Sequence, residues 1–270
     1  QGVAMLRLGV GGAGLATAIT SLMNPLIIYV VSLIQRNILI APARQLFALR
    51  GFLGTYWKRV LPVLCNEMFW SLSIVALNMV FGRMGSDNYA ALTVVRTIEN
   101  IVFVFFVGIC SACNILVGKA IGEGALPAAK RNAHRFLWLV PVFGMTLGAL
   151  VVALRAPVLS LFDISEGARH TAAVMLLFYA VDVTIRNIPY LCVVGIFRAG
   201  GDTRIGLIGD VAVNYGLVLP AVAVCGLVLD VPFLWTYVIM LAVDDCGKLV
   251  LYLPRFASMK WIQPVARHDG

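Results

Sequence analysis

The chain has 270 residues, of which 61% are hydrophobic and only 13% are charged. A soluble globular domain is about 45–50% apolar and about 25% charged, so the composition excludes an ordinary soluble protein and predicts an integral membrane protein. The net charge of +8 could indicate a nucleic-acid partner, but the cytoplasmic loops of membrane proteins are also basic.

Apolar runs of about 20 residues, without the alternation of barrel strands, predict membrane-spanning helices and an all-α fold. Between the first two runs, residues 35–59 form a basic amphipathic segment suited to the membrane surface. The chain is therefore expected to divide into residues 1–59, a six-helix body at 60–253 and a basic tail at 254–270. The seven predicted spans are residues 10–33, 60–82, 90–117, 136–154, 170–197, 205–229 and 232–253.

The distribution of basic residues predicts the orientation of these spans. When successive loops are placed on alternate sides, fourteen of the 21 Lys and Arg residues fall on one side, four on the other and three within spans. The positive-inside rule makes the richer side cytoplasmic and places the C-terminus in the cytoplasm. Topology thus explains the net charge, and we expect no nucleic-acid partner.

Glu67 is the single carboxylate of the second span. A charge at the centre of a membrane helix costs about 3 kcal/mol, so such residues usually face a cavity or a partner. On a helical wheel Glu67, Trp70, Ser71 and Asn78 share an arc of about 100°, which predicts a polar stripe. We interpret Glu67 as a binding site for Na⁺ or H⁺. The alternative is a structural hydrogen bond to a neighbouring helix.

Glu67 lies seven residues into its span, about 10 Å from the cytoplasmic end. Cytoplasmic water could therefore reach it. In the third span Arg96 and Glu99 are spaced to pair on one helix face, and the fourth carries Gly144 and Gly148 in the GxxxG spacing of closely packed helices.

The fifth span offers two candidate cation ligands, Asp182 and Asn187. Asp182 is also spaced to pair with Arg186, and the sequence leaves open which candidate faces a cavity. Pro189 predicts a kink beside them, because its ring clashes with a preceding carbonyl. In the sixth span Asp210 is a candidate gate residue, expected near the arginines of the preceding turn.

The turn between the fifth and sixth spans reads GIFRAGGDTR and resembles the signature of bacterial multidrug and toxic compound extrusion (MATE) transporters. Four further stretches resemble that family in its order: GVGGAGLATAI, NEMFW, ILVGKAIGEG and RFASMKWI. Together they cover nearly the whole chain. The residues that carry the signature turn are Arg198, Gly200, Gly201, Asp202 and Thr203. Their simplest local role is a cytoplasmic turn in which Asp202 or Thr203 caps the next helix.

The resemblance implies twelve helices in two six-helix lobes, of which this chain would be the C-terminal lobe preceded by one helix. The start at Gln1 also suggests a fragment whose partner is the missing N-terminal lobe. The implied function is multidrug efflux by antiport across the bacterial inner membrane, with a cavity that includes Asn66, Trp70, Ser71, Asn78 and Asp210. Two departures from the family are Tyr215 in place of tryptophan, and Asp244 with Asp245 in place of glutamates before Lys248.

We therefore expect small organic substrates, Na⁺ or H⁺ as coupling ion, contact with membrane lipid, and no other cofactor or metal. Cys110 and Cys113 form a CxxC without a second ligand pair, which argues against a metal site. A lipid-linked sugar flippase is the nearest alternative and would need a more basic cavity. An intramembrane enzyme would need a motif such as HExxH or GxSxG, and neither occurs. A non-transporting membrane scaffold is the third alternative.

Overall fold

The computed structural model describes residues 50–263 and part of the stretch 19–34, namely 19, 21–23, 25–27, 29–31 and 33–34. The chain divides into two compact units, Gln1–Trp57 and Lys58–Gly270. In the first unit the described residues between 19 and 34 are helical. Most of the first predicted span, residues 35–49 of the predicted surface segment and residues 264–270 of the tail lie outside the described residues.

Within residues 50–263 the regular elements are helices, so the all-α prediction is confirmed there. Six long helices follow one another: α1 (Arg50–Gly82), α2 (Ser86–Gly122), α3 (Leu126–Leu159), α4 (Glu166–Gly200), α5 (Thr203–Val228) and α6 (Phe233–Ala257). Five helices, α1 to α5, are long and apolar enough to cross a membrane. Helix α6 corresponds to the predicted seventh span but is not among the five, because Asp244, Asp245 and Lys248 interrupt it.

The helices extend well beyond the predicted spans. Helix α2 has 37 residues, which at 1.5 Å per residue make about 56 Å, against about 30 Å for the hydrocarbon core. The basic segment predicted as a loop at 118–135 is helical except for a short turn at 123–125. Its small side chains explain the difference, since Ala129 and Ala133 are fully buried while the basic residues around them leave the other face polar.

Helices α3 and α4 approach each other closely at two glycines. A methyl group on Gly144 would lie 2.8 Å from the Thr184 Cα atom, and one on Gly148 would collide with the backbone oxygen of Ala180. The GxxxG spacing therefore does pack two helix backbones together, as the sequence indicated.

Helix α4 changes its winding next to its proline. The α-helical part ends at Tyr190, one residue after Pro189, and a π-helical stretch runs over Leu191–Phe197. Pro189 has no N–H to donate, and a wider turn is one way in which a helix accommodates such a gap. The Asn114 amide of α2 donates a 2.9 Å hydrogen bond to the Val194 carbonyl in this stretch. The predicted irregularity thus appears as a π-helical segment facing α2.

Candidate functional site

A cavity of about 550 Å³ opens between helices α1, α2, α4, α5 and α6. Ionisable groups line it from all five helices, although these helices are apolar elsewhere. The carboxylates that line it are Glu67, Glu99, Asp210, Asp244 and Asp245, and the basic side chains are Arg96, Arg186, Arg198 and Lys248. Five acids against four bases make the cavity mixed in charge and slightly acidic.

Glu67 lies on the wall of this cavity and forms an ion pair with Arg198. The distance from Arg198 Nη2 to Glu67 Oε1 is 2.6 Å, which is the length of a strong charge-assisted hydrogen bond. The Glu67 side chain is 54% exposed and that of Arg198 is 24% exposed. Arg198, which the sequence placed in a turn, therefore reaches the acid that the sequence placed in a membrane helix.

Asp210 joins three helices at the same end of the cavity. Its Oδ2 accepts a 2.7 Å hydrogen bond from the Asn66 amide of α1, and its Oδ1 accepts a 2.8 Å bond from the Tyr252 hydroxyl of α6. The sequence suggested an arginine of the preceding turn as its partner. That expectation is wrong, because the two carboxylate oxygens are taken by Asn66 and Tyr252 while Arg198 binds Glu67.

A second cluster surrounds Arg186 further along α4. Arg186 Nη1 lies 3.6 Å from Glu99 of α2 and 3.7 Å from Asp182. Glu99 also accepts a 2.8 Å hydrogen bond from the Tyr237 hydroxyl of α6, and Asp182 lies beside Asp245 of α6. Arg186 is thus paired with two acids, and a third acid, Asp245, lies beside one of them.

These contacts confirm one ion-pair prediction and revise another. Asp182 does pair with Arg186, as its spacing indicated. Arg96, however, donates its hydrogen bond to Asn78 of α1, and the arginine beside Glu99 is Arg186. The spacing of Arg96 and Glu99 placed them on one helix face, but each side chain finds a partner on another helix.

The face of α1 that lines the cavity differs from the predicted polar stripe. Asn66, Glu67 and Trp70 line the cavity, whereas Ser71 and Asn78 are not among the residues that do so. At about 100° per residue, the lining face is centred near Trp70, about 60° from Glu67 on the side away from Ser71. The prediction counted polar residues only. It therefore left out Ile74 and Leu77, which also line the cavity, and placed the stripe too close to Glu67.

Of the two candidate ligands on α4, Asn187 lines the cavity and Asp182 does not. Asn187 is buried, and its side-chain amide donates a 3.1 Å hydrogen bond to the Val183 carbonyl one turn earlier, which leaves its oxygen free to accept. Asp182 is not a lining residue and instead pairs with Arg186. The geometry therefore favours Asn187 for direct contact with a bound ion.

The signature turn that follows Arg198 is fastened by the C-terminal segment. Gly201 adopts the left-handed conformation at φ 85°, and Asp202 follows at the N-cap position of α5. The Asp202 side chain does not cap that helix, contrary to one of the two predicted roles. It instead binds Arg255 of α6, with a distance of 2.6 Å to Nη2 and 2.8 Å to Nε, and also accepts from Gln263 at 3.4 Å.

Backbone contacts complete this attachment. The Gln263 N–H donates a 2.9 Å hydrogen bond to the Gly200 carbonyl, and Gly201 forms an isolated bridge with Ile262. Trp261 is fully buried against Gly200, where a methyl group would collide with the tryptophan. The two stretches GGDT and RFASMKWI, which lie more than 50 residues apart in the sequence, contact each other directly.

Sequence reasoning missed several residues of the site, because their importance comes from contacts between distant helices. Tyr237 and Tyr252 read as ordinary aromatic residues of an apolar helix, and Arg255 as part of a basic tail. The hydroxyl groups of Tyr237 and Tyr252 could have indicated polar contacts within the membrane, since a buried tyrosine usually has a hydrogen-bond partner.

Known proteins with similar sequences are membrane transporters. The MatE family model matches residues 62–236, well over half of the chain. Multidrug and toxin extrusion protein 1 of Xenopus tropicalis is 25% identical over 158 residues, which are 58% of this chain and 27% of that protein. The uncharacterized transporter YisQ of Bacillus subtilis is 21% identical over 257 residues, 95% of this chain and 56% of YisQ.

Solved structures show the same fold. An outward-facing conformation of a multidrug resistance MATE family transporter of the MOP superfamily superposes with a TM-score of 0.79 at 16% identity, over 96% of this chain and 59% of that one. A crystal structure of MATE in the straight conformation gives a TM-score of 0.78 at 17% identity, over the same shares of the two chains. The chain therefore spans 27% to 59% of the length of these proteins.

Proposed function

The chain belongs to the MatE family of membrane transporters, and on that premise we propose that it is the C-terminal part of a multidrug efflux antiporter. In this proposal Na⁺ or H⁺ moves inward and an amphipathic, often cationic organic compound moves outward. The protein lies in the inner membrane of a bacterium, with its C-terminus in the cytoplasm. Because transport is the function of the family, we propose no catalytic reaction.

The observation that carries the proposal is the position of Glu67. Its carboxylate stands on the wall of a 550 Å³ cavity inside a membrane protein, is about half exposed, and holds one cationic partner. A carboxylate in hydrocarbon is energetically costly, so the carboxylates of membrane helices usually face water-filled cavities and mark pathways for ions or substrates. Asn66 and Asn187 supply amide groups on the same wall, and amide and carboxylate oxygens are suitable ligands for Na⁺.

The lining of the cavity supports an amphipathic cationic substrate. Six aromatic side chains line it beside the carboxylates, and aromatic faces bind organic cations. These are Trp70, Phe103, Tyr179, Tyr190, Tyr237 and Tyr252. A flippase for pyrophosphate-linked sugars would need a clearly basic cavity, whereas here acids outnumber bases, so the geometry gives that alternative no support.

Coupling requires that the ion and the substrate favour different states of the transporter. Binding of the coupling ion at Glu67 would neutralise a carboxylate that otherwise attracts a cationic substrate. The two ligands would thus compete within one cavity as the lobes rock. The remaining partners in this proposal are membrane lipid and the N-terminal lobe of the same protein, with no nucleic acid and no cofactor beyond the coupling ion.

The proposal is tested with the full-length transporter in proteoliposomes. Uptake of a fluorescent organic cation is followed under an imposed Na⁺ gradient and, separately, under an imposed pH gradient, for the wild type and for Glu67→Gln. We expect one gradient to drive uptake in the wild type and neither to do so in Glu67→Gln. If neither gradient moves substrate in the wild type, antiport is wrong.

A further inference from the structure

The partners of Glu67 and Arg198 distinguish this pair from the other charged groups of the cavity. Among the described residues, the ion pairs and side-chain hydrogen bonds of Glu67 and Arg198 are made only with each other. The other lining carboxylates have different neighbours: Glu99 binds Arg186 and Tyr237, Asp210 binds Asn66 and Tyr252, Asp244 binds Lys248, and Asp245 lies beside Asp182. Arg198 is thus the dedicated cation of Glu67.

The backbone next to Arg198 is held in place by the C-terminal segment, whereas its side chain lines the cavity. Gly200 and Asp202, two and four residues on, are fastened by Gln263 and Arg255 of the C-terminal segment. Arg198 lines the cavity, and its side chain is 24% exposed. A long side chain on a fixed backbone can leave its partner and return without movement of the helix.

A cation that binds the Glu67 carboxylate meets the positive charge of the Arg198 guanidinium. Just over half of the Glu67 side chain is exposed at the cavity wall, and Arg198 Nη2 lies 2.6 Å from its Oε1 atom. A second positive charge at this carboxylate is repelled by Arg198 at close range, in surroundings that screen charge less than water does. Arg198 has no other carboxylate partner, so it loses its ion pair when the carboxylate is neutralised.

We propose that Arg198 is an internal counter-cation that competes with the coupling ion for the Glu67 carboxylate and so sets the affinity for that ion. This inference rests on the proposed antiport function. In the absence of the ion, Arg198 neutralises Glu67. When the ion binds, Arg198 is displaced, and its return assists release of the ion. Arg198 is thus an affinity-setting residue, while Glu67 remains the ligand.

The test measures ion binding with the purified full-length transporter, using radioactive sodium at fixed pH in one arm and proton uptake across a pH titration in the other. Arg198→Gln removes the competing charge and keeps a polar side chain. We expect the sodium concentration at half-saturation to fall by about tenfold or more, the effect of removing one charged hydrogen bond, or the midpoint of proton uptake to move up by about one pH unit.

Three further variants sharpen the result. Arg198→Lys keeps the positive charge and should keep most of the competition. Arg204→Gln removes an exposed arginine six residues away that takes part in none of the ion pairs of the described residues, and should leave both midpoints unchanged. If Arg198→Gln does not fold, Arg198→Met repeats the test with a side chain of similar length that suits a membrane protein.

The inference is overturned if a folded Arg198 variant without charge shows the wild-type midpoints in both arms, or if its ion affinity falls. Binding is measured without transport, so the two proposals fail separately. Absence of gradient-driven uptake in the wild type contradicts antiport, whereas an unchanged binding midpoint in Arg198→Gln contradicts the competition.

Discussion

Asp202 and Arg255 form the ion pair that attaches the signature turn to the C-terminal segment. The Asp202 side chain is 5% exposed and that of Arg255 is 29% exposed. Two guanidinium nitrogens approach one carboxylate oxygen, and Gln263 binds the other oxygen. Removing the arginine would leave a buried carboxylate without its cation, which costs far more than the loss of an exposed pair.

We therefore expect Arg255→Gln to destabilise the protein by about 2 kcal/mol. The matched control is Lys119→Gln, which removes the cation of an exposed i,i+4 pair with a distance of 3.9 Å to Glu123 and should cost less than about 0.5 kcal/mol. Thermal unfolding of the detergent-solubilised protein, followed by fluorescence, compares the two. Equal shifts in Tm would show that the burial of Asp202 has no consequence.

The Arg186 cluster calls for a different measurement, because Arg186 serves two carboxylates. In a double-mutant cycle of Arg186→Gln and Glu99→Gln, we expect a coupling energy of about 1–3 kcal/mol, since either change removes the same interaction. The reference cycle is Arg169→Gln with Glu166→Gln, an exposed pair at 2.9 Å, for which the coupling should be close to zero. Additive effects in the Arg186 cycle would contradict a shared ion pair.

Sequence could place Glu67, Asp182 and Asp210 inside membrane helices, since apolar flanks identify any intramembrane charge. It could not assign their partners. Spacing within one helix identified the contact of Asp182 with Arg186, which are four residues apart. Contacts between α1 and α4, such as that of Glu67 with Arg198, span 131 residues and depend on how the helices rotate and pack. A helical wheel carries no information about this rotation.

Helix packing in this protein depends on small residues at defined contacts. We expect Gly148→Ala to destabilise the protein by about 1–3 kcal/mol, because the added methyl group meets the backbone of Ala180 on α4, which cannot yield as a side chain would. Gly108→Ala is the control. Its methyl group would meet nothing within 4 Å, so the gain in helix propensity should make it neutral or stabilising by up to about 1 kcal/mol.

Tm values of the two glycine variants in the same detergent check this prediction. A Gly148→Ala protein as stable as Gly108→Ala would mean that α3 and α4 lie further apart than described.

Helix type and order followed from hydropathy, whereas helix length did not. The change from hydrocarbon to water does not end a helix. A helix can continue beyond the hydrocarbon region where one of its faces is buried against neighbouring helices. Ala129 and Ala133 provide that buried face in a segment whose basic residues predicted a loop. The π-helical winding of α4 could not be predicted from the sequence either, although Pro189 indicated where the helix would be irregular.

The C-terminal segment is expected to stabilise the signature turn. Trp261 is fully buried and lies parallel to Phe256, with ring centroids 6.3 Å apart. Trp261→Ala should cost about 3–5 kcal/mol, as for other fully buried aromatic residues. Hydrogen exchange should show the loss concentrated at Gly200, Gly201 and Asp202. Loss of protection spread evenly over all helices would argue against a local attachment.

The cavity as a whole combines a membrane location with a nearly balanced set of charges. Its lining comes from five helices that are far apart in sequence, so family resemblance could suggest the cavity but only packing could define it. The resemblance correctly indicated the family and fold. It placed Asn66, Trp70 and Asp210 on the cavity wall, but not Lys248 or Tyr252, which line the wall from α6.

The central claim is that Glu67 is the point at which ion and substrate exclude each other. The most direct measurement is substrate-driven ion release: full-length transporter in proteoliposomes is loaded with the coupling ion, an organic cation is added outside without any imposed ion gradient, and efflux of the ion is recorded. The inward gradient of the organic cation is the only driving force, and we predict ion efflux in the wild type and its loss in Glu67→Gln. Undiminished ion efflux from Glu67→Gln would contradict this account.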